Sequence, residues 1–178
     1  INKYGFHEEI IKILPSVFPD YDVAEAIAGI PEWYPGSDIE AKHKLFDGAE
    51  YDMVNLIQSA LDYGISIDER DDEGNSPIII AAQNSNFESL KYLIEKGANL
   101  NYKTPAFYLS KGMTPLCAAI NGDGQPIRER YETVLILLNA GASVDTEALG
   151  LACHHGMFDT VLALIDYGAK IEEFDLEY

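Results

Sequence analysis

Basic residues are scarce in this sequence. Twelve Lys and Arg face 30 Asp and Glu, a formal charge of −18 with a pI near 4.3. A surplus of that size works against binding to the phosphates of nucleic acid or to anionic lipid, and favours a basic protein partner. Cysteine is nearly absent as well. Cys117 and Cys153 are too few for a disulfide framework and lack metal-ligand spacing, which fits a reducing cytoplasm. Long apolar runs are missing. The longest, Pro77 to Ala82 and Val134 to Leu138, fall far below the roughly 20 residues a membrane helix needs. Lys3, Glu8, Glu9 and Lys12 interrupt what would be the apolar core of a secretory signal. Because the chain begins at Ile1 rather than Met, a cleaved leader stays an open alternative.

Signatures of catalysis are lacking too. There is no glycine-rich dinucleotide loop, no phosphate-loop lysine and no serine at a nucleophile elbow, and His7-Glu8-Glu9-Ile10-Ile11 lacks the second histidine of a zinc-binding helix. The sequence therefore points to no enzyme, cofactor or metal. What is present is a globular composition, 47% apolar and 24% charged over 178 residues, enough for one domain and a short appendage.

Self-similarity organises most of the chain. A glycine turn closes four segments, at Tyr63-Gly64-Ile65, Lys96-Gly97-Ala98, Ala140-Gly141-Ala142 and Tyr167-Gly168-Ala169. The basic period is 33 residues, the separation of Gly64 and Gly97, and a period in this range marks a stacked repeat architecture. Gly74-Asn75-Ser76-Pro77 and Gly112-Met113-Thr114-Pro115 open the second and third units. Ser76 and Thr114 read as N-caps with proline in the first helical position. From Pro77 to Gly97 is 20 residues and from Pro115 to Gly141 is 26, so six extra residues lie between the helices of the third unit, around Asn121 to Arg130. The fourth unit lacks six residues before its first helix, which predicts a shortened turn. Phe87, Leu90, Leu93 and Ile94 form a helical stripe, repeated by Val134, Leu135, Leu137 and Leu138, and by Val161, Leu162, Leu164 and Ile165. Helices this short cannot each bury an apolar face alone; stacking of neighbouring pairs buries it.

These markers resemble the ankyrin repeat, which opens with G-x-T-P-L-H-x-A-A and closes with L-L-x-x-G-A-x-x-N. The resemblance covers residues 41 to 172. It implies an all-α solenoid of stacked antiparallel helix pairs, with units at 41–70, 71–103, 104–145 and 146–178. Residues 1–40 do not match and read as an N-terminal helical cap, with helices at His7 to Leu14 and Asp22 to Ile30 and a turn at Trp33-Tyr34-Pro35-Gly36. The family histidine is replaced by Ile79 and Cys117, so the hydrogen-bond ladder it supplies is expected to be missing.

The resemblance further implies a protein-binding module that works through a concave groove and loop fingers. By register, Glu50, Tyr51, Gln83, Asn84, Asn121, His154 and His155 fall at the ends of first helices, where the family presents its contact residues. For His154 and His155 an exposed polar helix end is the plainer alternative. Asp68 to Glu73 holds five carboxylates in six residues; Asp71, Asp72, Glu73 and Asn75 form either a solvated turn or an anionic contact for Lys and Arg. Phe107, Tyr108 and Met113 lie in the long finger of the third unit, as partner contacts or as a satellite core. Cys117 and Cys153 read as small buried hydrophobes. A small acidic protein of this kind could inhibit a basic protein such as a nuclease toxin, in the manner of an immunity protein, or serve as a passive adaptor or secreted effector that scaffolds protein complexes. It is expected to be cytoplasmic and a monomer on its own.

Overall fold

The computed structural model describes residues 38–105, 112–122 and 124–170. The expected N-terminal cap, with Trp33 and Tyr34, lies almost wholly outside the described residues, as do Phe107 and Tyr108.

Every described element is an α-helix, and the helices come in four pairs: α1 (Asp38–Glu50) with α2 (Val54–Tyr63), α3 (Pro77–Gln83) with α4 (Phe87–Glu95), α5 (Pro115–Asn121) with α6 (Ile127–Asn139), and α7 (Thr146–His154) with α8 (Phe158–Asp166). The fold is an all-α solenoid. Each pair ends on the same device. Gly64, Gly97, Gly141 and Gly168 have φ of 108°, 86°, 93° and 93°, the left-handed conformation that ends a helix. In each the glycine N–H and the next N–H turn back to carbonyls of the last helical turn, as in Gly97 N to Ile94 O and Ala98 N to Leu93 O, both 3.0 Å.

The six extra residues of the third unit are divided between loop and helix. The connection from α5 to α6 has two more residues than that from α3 to α4, and α6 is four residues longer than α4. The fourth unit replaces the long finger by a short turn. Asp145 takes the capping role that Thr114 has in the third unit: its carboxylate accepts from Ala148 N at 2.8 Å, while Thr114 Oγ1 accepts from Cys117 N at 3.2 Å. Ser76 departs from expectation. It holds the N-cap backbone conformation, but its hydroxyl makes no cap bond, and only Pro77 presets that helix start.

Packing follows side-chain size. The first helices are rich in small residues, Ala81 and Ala82 in α3 and Ala118 and Ala119 in α5, all fully buried. They let α1, α3, α5 and α7 pack closely in a row, whereas the second helices carry Leu90, Leu93, Val134 and Leu137 and stand further apart. A tighter first-helix row curves the stack toward that side. One core runs the length of the stack, from Leu45 and Ile57 through Ile78 and Leu116 to Leu164. The stripe of the fourth unit is only partly buried: Leu164 is enclosed, but Leu162 is exposed, and no further helix pair among the described residues covers it. Cys153 corrects the expectation for the same reason. Cys117 is buried between α3 and α7 rows, while Cys153, on the outermost first helix, is exposed.

Candidate protein-binding face

The expected contact residues occupy equivalent positions, one pair after another. Glu50, Gln83, Asn121 and His154 are the last residues of α1, α3, α5 and α7. Glu50, Tyr51 and His154 are exposed, and Gln83, Asn84, Asn121 and His155 are half-buried. Two of them meet across units, His155 Nε2 lying 3.3 Å from Asn121 Oδ1. The rings of His154 and His155 stand edge-to-face, with centroids 5.4 Å apart. At the other end the Glu50 carboxylate beside Tyr51 pushes its phenol above the ordinary range.

The row is held from behind by the second helices. Asn86 Nδ2 donates to the carbonyls of Ala49 and Glu50 at 2.8 and 2.7 Å, satisfying the C-terminus of α1. Ser89 Oγ donates to Gly48 O at 3.0 Å, and Ser89 N donates to Asp52 Oδ1 at 2.7 Å. The C-terminal end of α1 is therefore fixed by contacts within the fold.

The acidic loop divides into a framework and a tip. Asp71 is structural: its Oδ1 accepts from Glu73 N at 2.9 Å and Asn75 N at 2.7 Å, and its Oδ2 from Asn75 Nδ2 at 3.1 Å. Asp71 N also donates to Asn75 O, closing a tight hairpin. Asp72 and Glu73 are left at the exposed tip. Met113 likewise supports the second finger, being half-buried against the core, with its N–H donating to Thr104 Oγ1 at 2.8 Å.

Neighbouring fingers are joined by a ladder that the missing family histidine does not supply. Asp68 Oδ1 accepts from Asn99 N at 2.9 Å, and Asn101 Oδ1 accepts from Ser143 N at 2.8 Å. Both acceptors stand four residues after the glycine that ends their own unit. The same position in the third unit is Asp145, whose carboxylate is turned to cap α7. The repeating register of Asp68, Asn101 and Asp145 was the available signal for this ladder.

Electrostatics at the fingers follow from how the cations are used. Lys42 pairs with Glu69 at 2.8 Å and Lys103 with Glu147 at 2.6 Å. The Glu147 hydrogen bond holds the Lys103 ammonium above its ordinary range. Arg70 lies 3.6 Å over the Tyr102 ring, and its guanidinium donates to the carbonyls of Asp68 and Glu69. Tyr102 in turn donates to Gly74 O at 3.1 Å. Tyr102 joins the two fingers through Arg70 and Gly74, the lysine pairs tie the fingers to α1 and α7, and the carboxylates of Asp72 and Glu73 stay exposed beside them.

Cys117, Asp145 and Glu147 put three possible ligand atoms within 4.8 Å of one another. All three are engaged in structure. The Cys117 thiol donates to Asp145 Oδ1 at 3.8 Å, Asp145 caps α7, and Glu147 binds the Lys103 ammonium, a charge that opposes a second cation. Burial pushes the Cys117 thiol up to about 11, keeping it protonated at neutral pH.

Residues 45–148 match the family model for ankyrin repeats in three copies. The chain belongs to the ankyrin-repeat family. Among its relatives is a human protein named for ankyrin-repeat, SAM and basic leucine zipper domains, 34% identical over 64 residues, which are 36% of this chain and 14% of that protein. Another is an ankyrin repeat protein of Borreliella burgdorferi, 33% identical over 90 residues, 47% of this chain and 37% of the relative. The chain thus spans well under two thirds of either. The matched range stops at Ala148, just inside α7, so the fourth ankyrin unit is assigned from its helix pair and its Gly168 turn. Ankyrin repeats are a non-catalytic protein-interaction module, and no helix among the described residues is long and apolar enough to cross a membrane.

Proposed function

We propose that this ankyrin protein is a non-catalytic inhibitor of a basic protein, binding it through the row of first-helix ends and the acidic finger beside it. The observation that supports this most is the finger tip, where Asp72 and Glu73 project from a rigid hairpin while Lys42, Arg70 and Lys103 nearby are engaged. A surface fixed in advance loses little conformational freedom on association, so its contacts convert more fully into affinity. The partner class is a protein whose cationic cleft the acidic face covers, such as a nuclease toxin, which would make this an immunity protein. Glu50, Tyr51, Gln83, Asn84, Asn121, His154 and His155 form the polar contact row, with Phe107 and Tyr108 as finger anchors. The protein acts as a cytoplasmic monomer, a placement supported by two cysteines that both stay free thiols.

Salt and substitution test the reading together. Asp72→Ser with Glu73→Ser removes two charges and leaves the Asp71 hairpin intact. Association with the partner should slow by about tenfold at low salt, and raising salt should remove the difference. A passive adaptor bound without charge steering would give association rates indifferent to both the substitutions and the salt, and that result would overturn the inhibitor reading.

A further inference from the structure

The second helices carry a surface that the finger-and-groove reading does not use. Along α8, Phe158, Leu162 and Ile165 are 81%, 62% and 38% exposed, an apolar stripe at i, i+4 and i+7. Their counterparts in α6, counted back from the closing glycines, are Tyr131, Leu135 and Leu138. Tyr131 and Leu135 are half-buried, and Leu138 is 3% exposed. The stripe on α8 is therefore the exposed counterpart of an apolar face that is half-buried to buried along α6.

At its N-terminal end the stripe runs into an open cleft of about 410 Å³ between α6 and α8, walled by Ile127, Tyr131, Met157 and Phe158. Thr160, which lines the cleft, is 1% exposed, and its hydroxyl has no hydrogen-bond partner among the described residues. Acidic side chains border the stripe, while one cation, Arg128, lines the cleft. Exposed Asp159 and Asp166 flank the stripe on α8, and the adjoining Arg128 is held by Glu132 at 3.2 Å. From residue 146 onward the chain has seven acidic residues and one Lys.

We infer that this face binds an amphipathic helix of a partner protein, with an apolar stripe laid along Phe158, Leu162 and Ile165 and Lys or Arg on its flanks facing Asp159 and Asp166. In helix-in-groove recognition the bound helix supplies apolar anchors at i, i+3, i+4 and i+7, and the α8 stripe with the cleft beside it offers the apolar surface to receive them. Basic flanks follow from the acidic border. A second copy of this chain is the poorer occupant, because it would bring a further −18 against the same border. The seat lies on the second-helix side of the last described pair, so its occupancy is independent of the finger-and-groove reading.

The test uses the full chain and two fluorescent synthetic helices, one with Leu at the stripe positions and Lys on the flanks, the other with Glu replacing Lys. Anisotropy titration should show binding of the Lys peptide and not of the Glu peptide. Leu162→Glu should weaken the Lys peptide by about tenfold or more, whereas Met53→Ser, an exposed site at the other end of the stack, should leave it unchanged. Purely electrostatic attraction to an acidic protein would make Leu162→Glu bind as well or better, and that result overturns the proposal. It also falls if Leu162→Glu dissolves a dimer seen by light scattering, or if Phe174→Ser is needed before the peptide binds, since the seat would then belong to a second copy or to the chain's own end.

Discussion

Replacing Ser85 by Gly should stabilise the protein. Ser85 stands between α3 and α4 with φ of 55°, a left-handed conformation that a side chain opposes by about 1–2 kcal/mol. The equivalent residue between α7 and α8 is Gly156, with φ of 65°. The hydroxyl does not repay the strain. Ser85 is 6% exposed and its Oγ has no hydrogen-bond partner among the described residues, which costs on the order of 1 kcal/mol. Against these gains, Gly adds freedom to the unfolded chain worth about 0.5–1 kcal/mol. The net gain is about 1–2.5 kcal/mol, a rise in Tm of about 2–10 °C for a chain of this size. Urea unfolding followed by circular dichroism measures it as a higher midpoint at unchanged slope. Ser85→Ala removes the hydroxyl but keeps the strain, so it should recover less. Asp52 provides the opposite control: φ there is 56°, but its carboxylate holds Ser89 N, so Asp52→Gly should bring no gain. A Ser85→Gly variant no more stable than Ser85→Ala would refute the strain argument.

Two further outcomes follow from side chains that tie units together. Asp68→Ala and Asn101→Ala should each cost about 1–2 kcal/mol in urea unfolding, and their double variant should be close to additive, because each severs a different junction. Under native conditions maleimide should label Cys153 alone, with Cys117 reacting only on unfolding. The Cys117 thiol is raised in the folded state, so its contribution to stability is present below pH about 9 and lost as pH rises through about 11, a fall on the order of 2 kcal/mol that Cys117→Ala should abolish.

What could be read from the sequence was local and periodic. Left-handed glycines, Thr-Pro helix starts and stripes at helical spacing act within one unit, so Gly64, Gly97, Gly141 and Gly168 revealed the stack, and counting from Pro115 to Gly141 located the insertion. The row from Glu50 to His155 followed from the same register. What could not be read depends on having or lacking a neighbour. Cys153 falls at the position of buried Ala82 and Ile120, and Leu162 at that of half-buried Leu135; both are exposed, and no helix pair among the described residues covers them. Asp71 and Asp72 are adjacent and identical in type, yet one closes the hairpin and the other projects from it, a division made by hydrogen bonds to Glu73 and Asn75. The Asp68 and Asn101 ladder joins residues 31 and 42 positions apart; the shared register marks its acceptors, but not the amides of the next unit that they hold.

Binding of a basic protein at the first-helix ends and fingers is tested most directly by hydrogen exchange on the complex. With the partner bound, backbone amides of residues 68–75 and 101–105 and of the helix ends at Asn84, Asn121 and His155 should gain protection, while α2 and α4 keep their free-state exchange. Protection confined to the second helices, with the fingers exchanging as in the free protein, would contradict it.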